Sequence, residues 1–377
     1  MRFAGACAAA AAAVALGAAC SSAPTGPKPA PLPELGAAKA VRVLWRAEVG
    51  AAEDFVFSPA LAGDAVYAAA RDGTVRRFDV ATGRQRWQAA AGSRLSAGVG
   101  ADAASVAVAN EDGEVTVLEA ATGKLRWRAR VSSEVLAAPV VGAGLVLVRS
   151  IDNRIFAFGA EDGKRRWVYQ RAASSLIVRT PAGAVIHGDS VYAGFRGGKL
   201  TAIALSNGGL RWEATVALPK GSTELERVTD VVGDPVVVQG REVCAAAYQG
   251  RVACYETANG RQIWARELSS LTGVSADARY AFSADDRGAV HALDRSSGRS
   301  VWKQDRLAHR GLSLPLPAGN AIAVGDFEGF VHFLERETGA FIARHETGGG
   351  AVRAAPLALP SGLLVQTAGG ALHALAP

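Results

Sequence analysis

An all-β chain, closed into an eight-bladed β-propeller of four-stranded antiparallel blades, is the fold that this sequence predicts, and three observations predict it. The first is a repeated phrase: Ala81-Thr-Gly-Arg-Gln-Arg-Trp87 returns as Ala121-Thr-Gly-Lys-Leu-Arg-Trp127, Glu161-Asp-Gly-Lys-Arg-Arg-Trp167, Ser206-Asn-Gly-Gly-Leu-Arg-Trp212, Ala258-Asn-Gly-Arg-Gln-Ile-Trp264 and Ser296-Ser-Gly-Arg-Ser-Val-Trp302. Each copy reads as a polar turn closed by a Gly able to take positive φ, then a short strand carrying a large aromatic. The second is a hairpin ahead of each turn, such as the one bent at Asp72-Gly73; the eight hairpins begin at Ala65, Ser105, Leu145, Ser190, Glu242, Arg279, Asn320 and Gly362. Asp-Gly between β-rich runs is a hairpin signal, and it sets helical repeat arrays aside. The third is a mismatch at the two ends. All seven Trp (45, 87, 127, 167, 212, 264 and 302) fall in one register, a worn copy puts Ala343 in an eighth slot, Trp45 precedes every hairpin, and the hairpin from Gly362 has no slot after it. A ring resolves the mismatch if the N-terminal strand around Trp45 completes the blade of the last hairpin, which also removes two exposed sheet edges.

Taken in order, residues 1–19 read as a signal peptide: Arg2 is a minimal basic region, and the Ala-rich run from Ala8 to Ala19 is too short for a membrane span. The run ends Leu16-Gly-Ala-Ala-Cys20, which resembles a bacterial lipoprotein box. By that resemblance Cys20 carries the lipid (acyl chains including palmitate) and becomes the first residue, and Ser21 after it implies sorting to the outer membrane. Several acyl chains on one Cys anchor firmly where a single chain does not. Gly17 stands where the box usually has Leu, so simple secretory cleavage is the alternative. Residues 20–40, with Pro24, Pro27, Pro29, Pro31 and Pro33, read as an extended, poorly packed tether.

Residues 41–377 make up the propeller, at about 42 residues per blade. An apolar share of 49% suits strands buried on both faces. The net charge of +6 is scattered over turns (Arg84, Lys124, Lys164), whereas a nucleic-acid groove needs clustered cations interleaved with stacking aromatics; no nucleic-acid partner is expected. Of the four Cys, Cys244 and Cys254 flank the bend at 248–251 close to opposite one another. They read either as a cross-strand disulfide, which an oxidising compartment permits, or as two small buried apolar residues.

No catalytic or metal constellation emerges. The six His (187, 291, 309, 332, 345 and 373) are scattered over different blades without a metal-binding spacing, and His291, His332 and His373 recur at one place in three hairpins, which argues for a strand-surface position. There is no nucleophile elbow and no Gly-rich strand-to-helix loop. Asp285-Asp286 and Glu335 with Glu337 read as solvated turn charge. Neither cofactor nor metal is expected. The informative places are where the repeat stretches: the runs from Trp167 to Ser190 and from Trp212 to Glu242 exceed all the others, and insertions in repeat proteins form loops that carry function. They fall in consecutive blades, so their loops should converge on one side of the disc.

The turn-Gly-Trp repeat resembles that of pyrroloquinoline-quinone propellers, among which are quinone-dependent periplasmic dehydrogenases. That enzyme class is the alternative reading, although those enzymes commonly carry an adjacent Cys-Cys pair that this chain lacks. A more specific resemblance rests on Gly221-Ser-Thr-Glu-Leu-Glu-Arg-Val-Thr-Asp230, Pro235-Val-Val-Val, Leu307-Ala-His-Arg310 and Val324-Gly-Asp-Phe-Glu-Gly-Phe-Val-His-Phe333. These are similar to the BamB family, the lipoproteins of the outer-membrane β-barrel assembly (BAM) machinery. The resemblance spans the mature chain and implies a non-enzymatic scaffold at the periplasmic face of the outer membrane. Such a scaffold binds the POTRA domains of BamA, joins other BAM subunits, and aids insertion of β-barrel clients. It also implies the contact residues. The family's Leu-x-Leu-Arg run maps onto Leu176, Val178 and Arg179, and its acidic pair maps onto Asp230, with Val232 where the second acid would stand.

Overall fold

The computed structural model describes residues 27–36, 39–171 and 178–377; the signal segment, Cys20 and Leu176 lie outside the described residues. Thirty-two strands form eight four-stranded sheets, each a plain antiparallel meander. Seven blades are continuous in sequence, at 60–90, 100–130, 140–170, 184–215, 231–267, 275–304 and 316–346. The eighth combines the three strands of 357–376 with Arg42–Glu48, whose Arg42 faces Ala376 and whose Glu48 faces Ala371. The expected ring closure is therefore realised. Hairpins begin within one residue of the expected positions, at Tyr280 and Ala321 where Arg279 and Asn320 were read.

Local chemistry accounts for the blade. Its second strand is buried along its whole length, as in Ala65–Ala69 and Tyr280–Ala284, because both faces meet a neighbouring blade. Small Ala and branched Val fill that space, and the apolar clusters lie between blades: Tyr67, Val75, Val106 and Leu118 share one core across blades 1 and 2. The outer strand alternates exposed and covered residues, as expected of a sheet edge facing water.

The Trp and the Gly of one repeat copy do not touch each other. Each indole instead lies on the Gly of the next copy: Trp45 on Gly83, Trp87 on Gly123, Trp127 on Gly163, Trp167 on Gly208, Trp212 on Gly260, Trp264 on Gly298 and Trp302 on Gly339. These Gly have φ between 64° and 75°, and a Cβ on any of them would come within 2.4–2.8 Å of the ring. Both the conformation and the contact exclude a side chain. Each indole Nε1 also donates to a carbonyl of the next blade, at 2.5–3.0 Å, from Trp45 to Val80 O round to Trp302 to Arg336 O. A bulge just before each Trp, such as the shift between Val117 and Leu118 opposite Trp127, turns the ring toward its neighbour. Ala343 now has an explanation. Its blade faces the corner between strands Ala371–Ala376 and Arg42–Glu48, which no covalent turn joins, so there is no Gly for an indole to cover.

Three further expectations are refined. Cys244 and Cys254 face each other in register, fully buried, and are joined by a disulfide. His291, His332 and His373 do not occupy an open strand surface: His332 is fully buried and His373 nearly so. His291 and His332 bond the turn carboxylates of Asp285 and Asp326, which also accept the turn amides of Ala289 and Phe330. Asp285 is thus a hairpin cap, not solvated charge. In blade 8, His373 Nδ1 lies 3.0 Å from His345 Nε2. Finally, part of the Pro-rich segment does not stand off from the disc, since Ala30 N donates to Ala308 O and Pro33 is buried.

Two outcomes follow from this architecture. Trp127→Ala removes a buried inter-blade ring and its hydrogen bond and is expected to cost about 3–5 kcal/mol in urea unfolding, whereas Ala343→Ser, in the slot without a Gly partner, costs far less. The second concerns pH. Burial, then His345 and Arg46, bring His373 down to about 4 from 6.5. A depressed folded value means that the unfolded chain takes the proton first, so this contribution is complete above pH 6.5 and is lost as pH falls toward about 4. The melting temperature of His373→Asn should therefore decline less than that of the wild type across this window; parallel declines would assign the loss to other groups.

Candidate partner-binding site

In a meander blade, the loop from each outer strand to the next blade lies on the same face of the disc as the hairpin bend between the second and third strands. The two insertions follow the outer strands Arg165–Gln170 and Leu210–Thr215, and their described parts, 178–183 and 216–230, lie on this loop face. They converge as expected. Val178 N donates to Asp230 Oδ2, and the strand that follows the second insertion also meets the first, where Gly233 N donates to Pro181 O at 3.1 Å and Gly183 N to Asp234 Oδ1 at 3.0 Å.

Asp230 is the residue that binds the insertions together. It is 6% exposed, and its Oδ2 accepts Val178 N–H at 2.9 Å while Oδ1 accepts Gly197 N–H at 3.4 Å. Its own carbonyl accepts Tyr248 N–H, and its backbone bridges Arg196. A buried carboxylate taking backbone N–H bonds at a loop base acts as a local fastener, because each amide would otherwise be left unpaired. Asp230 therefore orients the 178–180 backbone and does not bond the Arg179 side chain. Val232, at the place of the second acid, is 1% exposed and packs inward.

Arg179 reaches in the other direction. Its Nη1 and Nη2 bond both oxygens of Glu134, at 2.6 and 2.5 Å, in a fork geometry that holds the guanidinium flat against the loop from blade 2 to blade 3. Glu134 is 11% exposed and Arg179 is 55%, so the arginine is held in place yet accessible. Behind them Arg149 Nη1 donates to Ala182 O at 2.9 Å, and burial followed by the neighbouring Arg196 lowers its pKa to about 10, leaving it charged at neutral pH. Arg196 donates to Ile151 O. These groups line a depression of about 40 Å³, far below the ~300 Å³ of a typical small-molecule site. Elsewhere in the second insertion a tight turn, pinned where Glu226 accepts Ser222 N–H and Thr223 N–H, presents Leu225 at 72% exposure, and Leu218, 61% exposed, borders a separate cleft with Gln249, Arg251 and Glu267.

Val178, Arg179 and Asp230 are thus assembled in one place. Glu134 and Arg149 belong to the same region, Leu218 and Leu225 are exposed elsewhere in the second insertion, and none of the four was singled out in the sequence. Glu134 and Arg149 come from other blades, and nothing local marks them; Leu218 and Leu225 are apolar residues inside a charged insertion, a signal that was there to read. Among the described residues no group of three or more His, Cys, Asp or Glu could hold a metal ion. The arrangement is a shallow depression with cationic side chains at and behind its accessible edge. Asp230→Ala would orphan two amides and is expected to cost about 1–3 kcal/mol, with Val178 N–H exchange accelerated well beyond that of the core amides; unchanged exchange at Val178 would mean that the fastener lies elsewhere.

The chain as a whole is similar to known proteins. A family model described as outer membrane protein assembly factor BamB matches residues 37–94 and 71–304. The outer membrane protein assembly factor BamB of Bordetella pertussis is 46% identical over 346 residues, covering 92% of this chain and 89% of the relative, and that of Burkholderia pseudomallei is 42% identical over 362 residues, covering 96% and 94%. Among solved structures, BamB from Moraxella catarrhalis superposes with a TM-score of 0.82 at 27% identity over 89% of this chain and 99% of that one. The quinohemoprotein alcohol dehydrogenase of Comamonas testosteroni, with a TM-score of 0.68 at 14% identity over 89% and 76%, shares the propeller fold alone. The chain belongs to the BamB family of outer membrane protein assembly factors, an assembly family and not one of the quinone-dependent enzymes.

Proposed function

We propose that this protein is a non-enzymatic scaffold of outer-membrane β-barrel assembly, lipid-anchored through Cys20 at the periplasmic face of the outer membrane. It binds the POTRA domains of BamA through the paired insertions on its loop face, and unfolded β-barrel clients meet the complex that it helps to organise. The observation that carries this reading is the Asp230 carboxylate fastened to Val178 N–H, which joins the two insertions into one surface. Arg179 stands at its accessible edge, oriented by Glu134. Leu218 and Leu225 add exposed apolar area elsewhere in the second insertion, and apolar side chains together with an oriented Arg are a composition found at interfaces. Prior fixation of Val178 and Arg179 lowers the ordering cost that association would otherwise incur.

A POTRA-domain pull-down, run beside thermal melts, tests the proposal. Arg179→Ala is expected to weaken binding by about 2 kcal/mol or more, as for a desolvated interface arginine, while shifting stability by at most about 1–3 kcal/mol, the cost of leaving the largely covered Glu134 carboxylate unpaired. Arg179→Glu and Leu176→Asp should abolish capture. Full capture by both folded variants would place the interface elsewhere on the disc.

A further inference from the structure

The Pro-rich segment ahead of the propeller is bound to it by contacts from several elements. Ala30 N donates to Ala308 O at 2.8 Å and Lys39 N to Ile342 O at 2.9 Å. Arg310, with a side chain only 3% exposed, bonds Asp326 at 2.8 Å and Glu328, and gives a further N–H to Ala30 O at 3.0 Å. Arg344, stacked over the Phe330 ring at 5.8 Å, donates to Pro33 O. Pro33 is buried, and Pro27 lines a cleft with Leu271, His309 and Leu312. An extended Pro-rich chain suits this role, because it makes no internal hydrogen bonds, leaves its carbonyls free to accept, and loses little entropy on docking.

The contacts also give the segment a direction. Ala308 and Arg310 lie in the loop that follows the outer strand Ser300–Gln304, on the face that carries the two insertions. Ile342 lies near the start of the outer strand Phe341–Glu346, toward the opposite face. Arg42 then begins the closing strand at that opposite face, paired with Ala376. The segment therefore crosses the edge of the disc from loop face to opposite face, and the chain upstream of Pro27 departs from the loop face.

We propose that residues 27–36 are a built-in strap that makes the lipid anchor leave the disc on the partner-binding face, so that this face is turned toward the bilayer. The proposal rests on Cys20 as the lipid site. From Cys20 to Pro27 the chain can span at most about 25 Å, against about 75 Å from Cys20 to Arg42 if the strap were free. A disc of six-residue strands with turns at both ends is about 30 Å thick. The short reach keeps the loop face nearest the membrane, whereas the long one would permit either face.

The test uses the full-length lipidated protein in liposomes doped with a headgroup quencher, with one fluorophore on the loop face (Leu225→Cys) or on the opposite face (Thr122→Cys). Quenching is expected to be about twofold or more stronger at 225 than at 122, since reach and disc thickness are comparable, and Pro33→Asp, which puts a charge into the strap's buried contact, should erase the difference. Equal quenching at the two positions in protein that carries its acyl chains overturns the strap while leaving the anchor intact. Protein that carries no acyl mass and does not float with liposomes overturns the anchor reading and this proposal together. A spin-label distance between residues 28 and 225 in the soluble Cys20→Ala form separates the parts: one narrow distance, broadened by Pro33→Asp, supports docking, and a broad distribution in the unaltered strap overturns it.

Discussion

Everything in this molecule depends on how one blade is fastened to the next. A four-stranded meander has two apolar faces and cannot bury either alone, so each blade is completed by its neighbours. The fastening is the indole of one outer strand laid on the bare Cα of the next blade's turn, with Nε1 bonded to a carbonyl of that blade. The contact is directional: seven of the eight blades give a Trp to the next, and it is always received from the blade before. It also requires a covalent turn, and only seven blades have one between their third and outer strands. The blade that meets the open corner carries Ala343, and the ring is closed there by backbone pairing of Arg42–Glu48 with Ala371–Ala376. A ring joined in this way holds its eight bends and eight inter-blade loops at set angles.

That rigidity allows the two insertions to act as one surface. Loops carry backbone amides with no ladder partner, and long loops order only where something accepts those amides. Asp230 does so from a position set by the strand that follows it, so the second insertion carries the acceptor for the first. Glu134, from a blade further round, holds Arg179, and Arg149 supports the backbone at Ala182 from below. Four consecutive blades thus contribute to one site, and the site's geometry is a consequence of ring geometry.

The N-terminal segment uses the same platform differently. Arg310 and Arg344 stand at the edge of blade 7, whose outer strand carries Ala343 in place of a Trp, and offer donors to the carbonyls of Ala30 and Pro33. The closing strand and the segment before it thus line the same edge, and the part of the chain that completes the ring also determines which face its upstream end leaves from.

The sequence by itself determined the ring. The Trp register, the Gly turns, the hairpin bends and the misfit between Trp45 and the hairpin from Gly362 are local or periodic features, and chain geometry converts period into blade and misfit into closure. The family resemblance and the residues it singles out around Asp230 were legible too, because insertions break a regular count. Only the tertiary structure decided what crosses between blades: that each Trp covers the Gly of the next copy and not its own, that Arg179 answers to Glu134 while Asp230 answers to Val178 N–H, and that Pro33 is packed against the disc. The physical reason is common to all three. Periodicity records which face of a strand is apolar, but which polar group meets which is settled by the angle between neighbouring blades, and that angle exists only once the ring has closed.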